Sequence, residues 1–243
     1  MENWLEKVYE RINEKFEAEH LPKILSLVRQ PSIAGTGEGI EKCANMVLDM
    51  LNDIGCVDGH LEHYVHSPVV SAKLMSEKPG APTLVVYGMY DVQPEPLEEW
   101  KVPPYDGAII DFPPYGECVV SRGIANSKGP LVCFFNTVKT IKEELGYFPL
   151  NLWFVIEGEE EMGSESLIPF TAKHANELNK CLGVYLLSAR QDENGKPFTT
   201  LGNKGILYFE MEAKGAEWGG PSKLDIHGSN AAWISNPIWR LVN

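Results

Sequence analysis

The chain has 243 residues, of which 44% are hydrophobic and 23% charged, and its formal net charge is −13 at pH 7. These proportions are ordinary for a soluble globular protein that is long enough to bury a sizeable core. The negative charge argues against nucleic acid as the main partner, because phosphate binding needs a basic face, and no apolar run approaches the roughly 20 residues that span a bilayer.

The N-terminal residues and the cysteines predict a cytoplasmic protein. Residues 1–19 are charged throughout and lack the apolar core of a signal peptide. The five cysteines are scattered and have no CxxC spacing, which favours reduced thiols over a disulfide framework or a structural zinc knuckle. We therefore expect a cytoplasmic location, and we expect neither nucleic acid nor a membrane as a partner.

Helical spacing dominates the first 54 residues. Apolar residues recur at this spacing over residues 2–18, shortly after Pro22, and over residues 40–54, which predicts three helices. Residues 31–39 separate the second helix from the third, and their glycines predict a loop.

His60, His63 and His66 follow at positions i, i+3 and i+6, a spacing that suggests a metal site. The surrounding residues 64–74 are typical of a strand, and a strand would not place all three side chains on one face. The triplet alone therefore does not predict a metal site.

Strands alternate with helices from residue 83 to about residue 200. Such alternation predicts a doubly wound α/β sheet with helices on both faces. The run that ends at residue 156 is apolar over its last five residues and predicts a strand, residues 150–156, that is buried on both faces. The other predicted elements are strands over residues 83–87 and 182–187 and helices over residues 131–144 and 165–178.

The pattern changes after residue 200. Residues 205–213 alternate like a half-exposed strand, and a last helix is predicted over residues 236–242, with Pro237 at its start. A segment of about 40 residues is small for a domain that stands alone. We therefore predict an α/β domain over residues 1–200 and, over residues 201–243, the first strand and helix of a second, incomplete domain.

A cluster of acids follows the strand predicted over residues 150–156. The next five residues contain four carboxylates, those of Glu157, Glu159, Glu160 and Glu161. In an open α/β sheet, ligands bind at the carboxyl ends of the strands. Acids this close repel one another, which raises a pKa or calls for a cation. The alternative interpretation is a solvated acidic turn before a helix.

Five short motifs, taken in order, carry a family resemblance. Residues 87–94 (YGMYDVQP) are similar to the pattern GHxDVxP, residues 122–129 (RGIANSKG) to RGxxDxKG, and residues 157–164 (EGEEEMGS) to EGxEExGS. Residues 188–189 (SA) fall where the family has Ser-Asp, and residues 225–229 (DIHGS) resemble its lid motif DxHS. Over essentially its whole length the chain resembles the M20 family of co-catalytic zinc peptidases and amidohydrolases, most closely its branch of carnosinase-like dipeptidases.

The resemblance implies a hydrolase in which two zinc ions activate a bridging water and a glutamate takes its proton. Five ligands hold the metals in this family, and the sequence departs from four of them. Met89 replaces the first histidine, Asn126 the bridging aspartate and Ala189 the second aspartate. The downstream histidine would lie beyond Asn243. Glu161 is the ligand that remains.

Three further residues match functional positions of the family. Glu160 matches the general base, and Asp91 matches the aspartate that orients the ligand histidine. His227 matches a lid histidine that reaches across a dimer to bind the oxyanion or carboxylate of the substrate. The resemblance thus implies catalytic positions at Glu160, Asp91 and His227, and a substrate-binding role for His227.

Our leading hypothesis is a truncated homologue with a dismantled metal site, which binds no zinc or one weakly held zinc ion. It predicts no dipeptide hydrolysis by this chain. In a second hypothesis, a partner chain supplies the missing lid half and the downstream histidine, and Glu161 and Asn126 hold one weakly bound metal ion. In a third, the pocket edged by Asp91, Glu160, Glu161 and Arg122 binds a peptide, an amino acid or a cationic small molecule without turnover. The resemblance also implies that residues 1–200 are the N-terminal part of a catalytic-type α/β domain and that residues 201–243 begin an incomplete α+β lid domain. It implies in addition a homodimer that forms through the lid.

Overall fold

The computed structural model describes residues 4–94, 96–187, 190–198, 200, 202, 204–215 and 217–242. The chain divides into two compact units, Met1–Thr199 and Thr200–Asn243. Within the described residues, no helix has the length and apolar character that a bilayer crossing requires.

The helices of the first unit begin within a few residues of their predicted positions. A π-helical turn, Phe16–His20, joins the first two of them. The helices are α1 (Trp4–Lys15), α2 (Leu21–Val28), α3 (Ile40–Asp53), α4 (Lys128–Leu145) and α5 (Leu167–Leu178).

The strands of the first unit form a five-stranded sheet and two short hairpins. The sheet has the order β1-β2-β6-β3-β7, in which β6, β3 and β7 are parallel and the β1–β2 and β2–β6 pairs are antiparallel. The strands are β1 (Val57–Glu62), β2 (Val69–Leu74), β3 (Thr83–Met89), β4 (Ala108–Asp111), β5 (Glu117–Val120), β6 (Asn151–Glu157), β7 (Val184–Leu186), β8 (Arg190–Gln191) and β9 (Pro197–Phe198).

Strand β6 lies in the middle of the sheet and is buried on both faces, which confirms its prediction. Leu152, Phe154 and Ile156 pack into one core together with apolar residues of α2, α3 and α4. Trp153 and Val155 point to the other face, where they pack against Phe170 of α5. Alternate residues of a strand face opposite sides of its sheet, so a continuous apolar run is buried only when helices cover both sides. The predicted sheet with helices on both faces is therefore confirmed.

The hairpin β4–β5 lies in a segment that the sequence pattern did not predict as strand. Its four-residue strands pair in antiparallel register, with Ala108 opposite Val120 and Asp111 opposite Glu117. Strands this short contain too few alternations of apolar and polar residues to stand out from a loop that is rich in proline and aromatic residues.

The second unit differs from its prediction. The described residues between 204 and 215 contain no strand, and their apolar side chains are open to solvent, with Ile206 93% exposed. The strand prediction over residues 205–213 is therefore wrong for this structure. A strand needs a neighbour for its N–H and C=O groups, and the described part of this unit offers none. The predicted last helix does form, as α6 (Ile238–Val242).

Candidate functional site

Three loops meet where β3 and β6 end and where α4 begins. Met89 and Glu157, the last residues of the two strands, lie opposite each other in parallel register. Ser127, directly before α4, donates a hydrogen bond from its Oγ to the Met89 carbonyl at 2.5 Å. Asp91 Oδ2 accepts the backbone N–H of Glu161 at 3.0 Å. The structure thus brings together the three motif loops that the sequence places at strand ends.

Asp91 is a buried carboxyl group with one unpartnered oxygen. Its Oδ2 accepts the Glu161 N–H, but its Oδ1 has no hydrogen-bond partner among the described residues. Burial raises its pKa to about 7, and the nearby Glu157 adds to the effect. The resemblance assigns Asp91 to a contact with an imidazole at position 89. Met89 stands there instead, and the side chain of a methionine has no N–H to donate.

Glu157 is fully buried at the end of β6. Its Oε1 accepts hydrogen bonds from the Tyr87 hydroxyl and from Ser164 Oγ, the latter at 2.9 Å, and its Oε2 has no partner among the described residues. Burial raises its pKa above the usual range of a glutamate. Glu157 therefore belongs to the interior below the site, and its neighbour across the sheet, Tyr87, was not singled out by sequence.

Glu159 joins three parts of the chain. It is 1% exposed, and it accepts hydrogen bonds from the Ser67 N–H at 2.8 Å, from Ser166 Oγ at 3.0 Å and from the Ser166 N–H. Ser166 Oγ in turn accepts the backbone N–H groups of Val65 and His66 at 3.1 and 3.3 Å. Glu159 and Ser166 therefore tie the start of α5 to the connection between β1 and β2. Sequence reasoning missed this role, and a solvated acidic turn is excluded for this residue.

Glu160 and Glu161 are half-buried and form the accessible part of the acidic segment. Partial burial raises the pKa of Glu160, and the adjacent Glu161 carboxylate raises it further. The Glu161 backbone is held on both sides, since its N–H binds Asp91 and its C=O accepts a hydrogen bond from Gln93 Nε2 at 2.6 Å.

Arg122 and Lys128 of the second motif hold loops together. Arg122 donates from Nε to the Gln93 carbonyl at 3.0 Å and from Nη2 to the Pro94 carbonyl at 3.3 Å. Lys128 is fully buried, and its Nζ donates to the Gln30 carbonyl at 2.5 Å. Each cation thus binds backbone carbonyls of a neighbouring loop. Asn126, between them in sequence, is exposed.

Two motif glycines are required by close packing. A Cβ atom at Gly158 would lie 2.2 Å from Cζ of Tyr90, and one at Gly129 would lie 2.0 Å from the Ile124 carbonyl oxygen. The Tyr90 ring is buried and its hydroxyl donates to the Pro68 carbonyl at 2.7 Å, so the ring is fixed in place. No side chain other than hydrogen fits at either position without moving these neighbours.

His227, Ala189 and the three histidines of the triplet complete the set of predicted residues. His227 belongs to the second unit, where its Nδ1 accepts the Ser229 N–H at 3.2 Å and caps a short 3₁₀ turn. Ala189 lies outside the described residues. The histidines of the earlier triplet do not converge on one point, because each contacts a different carboxylate. The pairs are His60 with Glu62, His63 with Glu41 and His66 with Glu165, at 3.0, 2.8 and 3.4 Å.

The donor atoms at the metal-ligand positions do not fit a two-zinc centre. Zinc in proteins is bound by thiolate, imidazole and carboxylate groups, whereas Met89 offers a soft thioether and Asn126 a neutral amide. Glu161 keeps its carboxylate. Among the residues that the structure describes, no group of three or more histidine, cysteine, aspartate or glutamate side chains is arranged to hold a metal ion.

Comparison with known proteins places these motifs in a family. The model of peptidase family M20/M25/M40 matches residues 85–237. The Beta-Ala-His dipeptidase of Mus musculus is 32% identical over 149 residues, which are 60% of this chain and 29% of that protein. The Cys-Gly metallodipeptidase DUG1 of Candida albicans is 29% identical over 220 residues, which are 85% of this chain and 44% of that protein.

A solved structure extends the match to most of the fold. The M20 family metallo-carboxypeptidase Sso-CP2 of Sulfolobus solfataricus aligns with a TM-score of 0.70 and 30% identity, over 92% of this chain and 48% of that one. The chain spans less than half the length of each of these three relatives. Because the family model matches more than half of the chain, in the region that contains all three loops of the site, the protein belongs to peptidase family M20/M25/M40.

Proposed function

We propose that this chain is an M20 homologue that binds peptide-like small molecules and does not hydrolyse dipeptides by itself. One observation carries the proposal: the three loops meet as a site, but the side chains at two ligand positions, Met89 and Asn126, are not zinc donors. The Oδ1 of the buried Asp91, which has no hydrogen-bond partner among the described residues, supports it, because a carboxylate in that role needs an imidazole to orient.

The expected loss of metal affinity is large. Losing a single residue that supports a metal ligand costs about 10–100-fold in affinity. In this chain the metal ligands themselves are replaced, at Met89 and at Asn126. The expected loss of metal affinity is therefore the product of several such factors. Water that is not bound to zinc keeps its high pKa, and Glu160 then has no activated nucleophile to deprotonate.

Binding without turnover is supported by the accessible acids. Glu160 and Glu161 present half-buried carboxylates beside the carboxyl end of β6, the edge of an α/β sheet at which ligands bind. Two neighbouring carboxylates attract an ammonium group such as the α-amino group of a peptide. The relatives are named as dipeptidases for Beta-Ala-His and Cys-Gly, so these two dipeptides are the first ligands to test.

The test combines a metal measurement, an activity measurement and a binding measurement. The purified chain is dialysed against micromolar zinc, and its zinc content is measured by elemental analysis. Hydrolysis of both dipeptides is then assayed with and without zinc. Thermal unfolding is followed with each dipeptide in zinc-free buffer. We expect little or no bound zinc, no turnover, and a rise in unfolding temperature with at least one dipeptide.

Two variants make the result specific. Glu161→Ala removes the retained ligand, and Glu165→Ala removes an exposed acid four residues further along, as the matched control. Zinc-dependent turnover by the pure chain that is lost in Glu161→Ala and kept in Glu165→Ala would overturn the proposal. So would unfolding temperatures that respond to neither dipeptide, because they would remove the binding function.

A second candidate function is a dipeptidase whose site is completed by a partner chain. It is favoured by the length comparison, since the relatives are more than twice as long as the part that this chain matches. In that assembly Glu161 and Asn126 would hold one weakly bound zinc ion and Glu160 would act as the base. The discriminating result is zinc-dependent turnover that appears only when the partner is present and disappears in Glu160→Gln.

A further inference from the structure

The acidic segment, residues 157–164, is closed on itself by a hydrogen bond between its first and last side chains. Ser164 Oγ donates to Oε1 of Glu157 at 2.9 Å. A short 3₁₀ turn, Glu160–Met162, lies between these ends, and it carries the two accessible carboxylates of the segment. Because the ends of the segment are joined, fewer conformations are open to the residues of the turn. The hydrogen bond therefore restricts where the two carboxylates can lie.

Tyr87 of β3 donates a second hydroxyl group to the same oxygen of Glu157. Burial raises the pKa of Tyr87, and the hydrogen-bonded Glu157 and the charge of Glu160 raise it further. The phenol therefore lies within electrostatic reach of Glu160, one of the two accessible acids. Oε1 of Glu157 thus joins β3, the end of β6 and the end of the acidic segment at one point.

The backbone at Ser164 needs support from its surroundings. Gly163 and Ser164 both have positive φ angles, 100° and 59°, in the region that favours glycine and that other residues rarely adopt. Such a conformation persists at a serine when neighbouring groups hold it. The hydroxyl bond from Ser164 to Glu157 supplies such a contact. The N–H of Ser164 adds another, because it donates to the Glu159 carbonyl at 3.0 Å.

The second carboxylate oxygen of Glu157 makes the role of Oε1 testable. Oε2 is buried and has no hydrogen-bond partner among the described residues, so both observed bonds of this carboxyl group depend on Oε1. The oxygen of an amide can accept the same two hydroxyl groups. Glu157→Gln therefore keeps the acceptor, whereas Glu157→Leu removes it at a similar side-chain size.

We propose that Tyr87 and Ser164 are positioning residues, which act through Glu157 to set where the Glu160 and Glu161 carboxylates lie. For its ligand this inference rests on the proposed function, in which those carboxylates attract the ammonium group of a peptide-like molecule. Binding is tighter when the groups that contact the ligand are already ordered, because less conformational freedom is lost on association. The two hydroxyl groups thus raise affinity without touching the ligand.

The test follows the turn and the ligand separately. Amide hydrogen exchange, measured by NMR, reports on the N–H groups of Met162 and Gly163, which close the turn by backbone hydrogen bonds of 3.0 and 3.1 Å. Calorimetric titration gives the dissociation constants of the Beta-Ala-His and Cys-Gly dipeptides. In Ser164→Ala and in Tyr87→Phe we expect exchange of the two amides to quicken roughly tenfold and the dissociation constants to rise roughly tenfold. The amides of β6 should exchange as in the wild type.

Tyr64→Phe is the matched control, since it removes a phenol that donates to another carboxylate, that of Glu62 at the end of β1. It should lower stability as Tyr87→Phe does, yet leave the exchange of the turn and both dissociation constants unchanged. A conservative variant tests the hydrogen bonds themselves. Glu157→Gln should keep the exchange rates of the turn near those of the wild type, and Glu157→Leu should raise them. Thermal unfolding checks that each variant folds.

Two results would overturn the proposal. One is exchange of the turn at the wild-type rate in both Ser164→Ala and Tyr87→Phe. The other is faster exchange in these variants with unchanged dissociation constants, which would make the two hydroxyl bonds merely structural. Failure of the proposed function gives a different result, because the wild type itself would then bind neither dipeptide, while the exchange rates would still report on the turn.

Discussion

Replacing Glu159 tests whether the acidic segment is held by its buried members. The Glu159 carboxylate accepts the backbone N–H groups of Ser67 and Ser166 and the Ser166 hydroxyl, in a site that is 1% exposed. Each buried N–H that loses its acceptor costs about 1–3 kcal/mol. Because two N–H groups lose theirs, we expect Glu159→Ala to lower the free energy of unfolding by about 2–6 kcal/mol.

A conservative variant separates the hydrogen bonds from the packing. In Glu159→Gln, one amide oxygen still accepts an N–H, but the amide NH₂ faces the other N–H donor, so we expect a loss of about 1–3 kcal/mol. Urea unfolding followed by tryptophan fluorescence gives both values. Glu193→Ala, at an exposed position, is the control and should change stability by less than about 0.5 kcal/mol. If Glu159→Ala matched this control, the buried network would have no energetic role.

Three further outcomes follow from the structure. Gly158→Ala should lower the unfolding temperature, because the added Cβ would lie 2.2 Å from the fixed Tyr90 ring and overpacking costs about 1–3 kcal/mol. Glu62→Gln should cost up to about 3 kcal/mol at pH 7, measured by urea unfolding. Burial of Glu62 opposes its ionisation, but hydrogen bonds from a lysine, a tyrosine and two histidines outweigh it and lower its pKa from 4.5 to about 2. The difference should therefore shrink as pH falls from 4.5 towards 2. Met89→His combined with Asn126→Asp should raise the zinc content of the dialysed protein, since both changes restore zinc donors.

Each of these outcomes has a matched control. For the glycine, Gly183→Ala adds a methyl group where no atom lies within 4 Å and should leave the unfolding temperature nearly unchanged. For Glu62, a difference from wild type that is as large at pH 2 as at pH 7 would mean that the carboxylate is not the stabilising form. For the zinc variant, Met89→Leu with Asn126→Ala changes the same positions without adding donors, and equal zinc content in the two double variants would contradict the donor argument.

The central strand could be predicted from local pattern alone. Residues 152–156 are apolar in succession, and the structure buries all five. Burial on both faces requires nothing of the sequence except that no polar residue interrupts the run. The meeting point of the three loops followed from the same pattern, because parallel strands place their carboxyl ends at one edge of the sheet.

Which of the four neighbouring glutamates are buried could not be predicted in this way. Glu157, Glu159, Glu160 and Glu161 are chemically alike and nearly adjacent, yet the fold buries the first two and leaves the last two half-buried. The reason lies far away in sequence, since Ser67, which donates to Glu159, is 92 residues distant. No spacing rule relates residues so far apart.

The strand predicted over residues 205–213 failed for a related reason. Alternation describes which side chains a strand would bury, but a strand forms only when a neighbour pairs with its backbone. In the described part of the second unit the segment has no such neighbour, and Ile206 and Leu207 remain in solvent. An alternating pattern therefore predicts a strand only where a second strand is present to pair with its backbone.

The loops of the site are held together through backbone atoms at the ligand positions. Ser127 binds the carbonyl of Met89, and the side chains of Asp91 and Gln93 bind the N–H and C=O of Glu161. The side chain at position 89 contributes to none of these bonds, so its identity can change while the loops still meet. Membership of the family therefore predicts the geometry of this site more strongly than its metal content. On this reasoning, replacing Met89 changes zinc binding but not loop positions, whereas replacing Asp91 loosens the loops whichever residue occupies position 89.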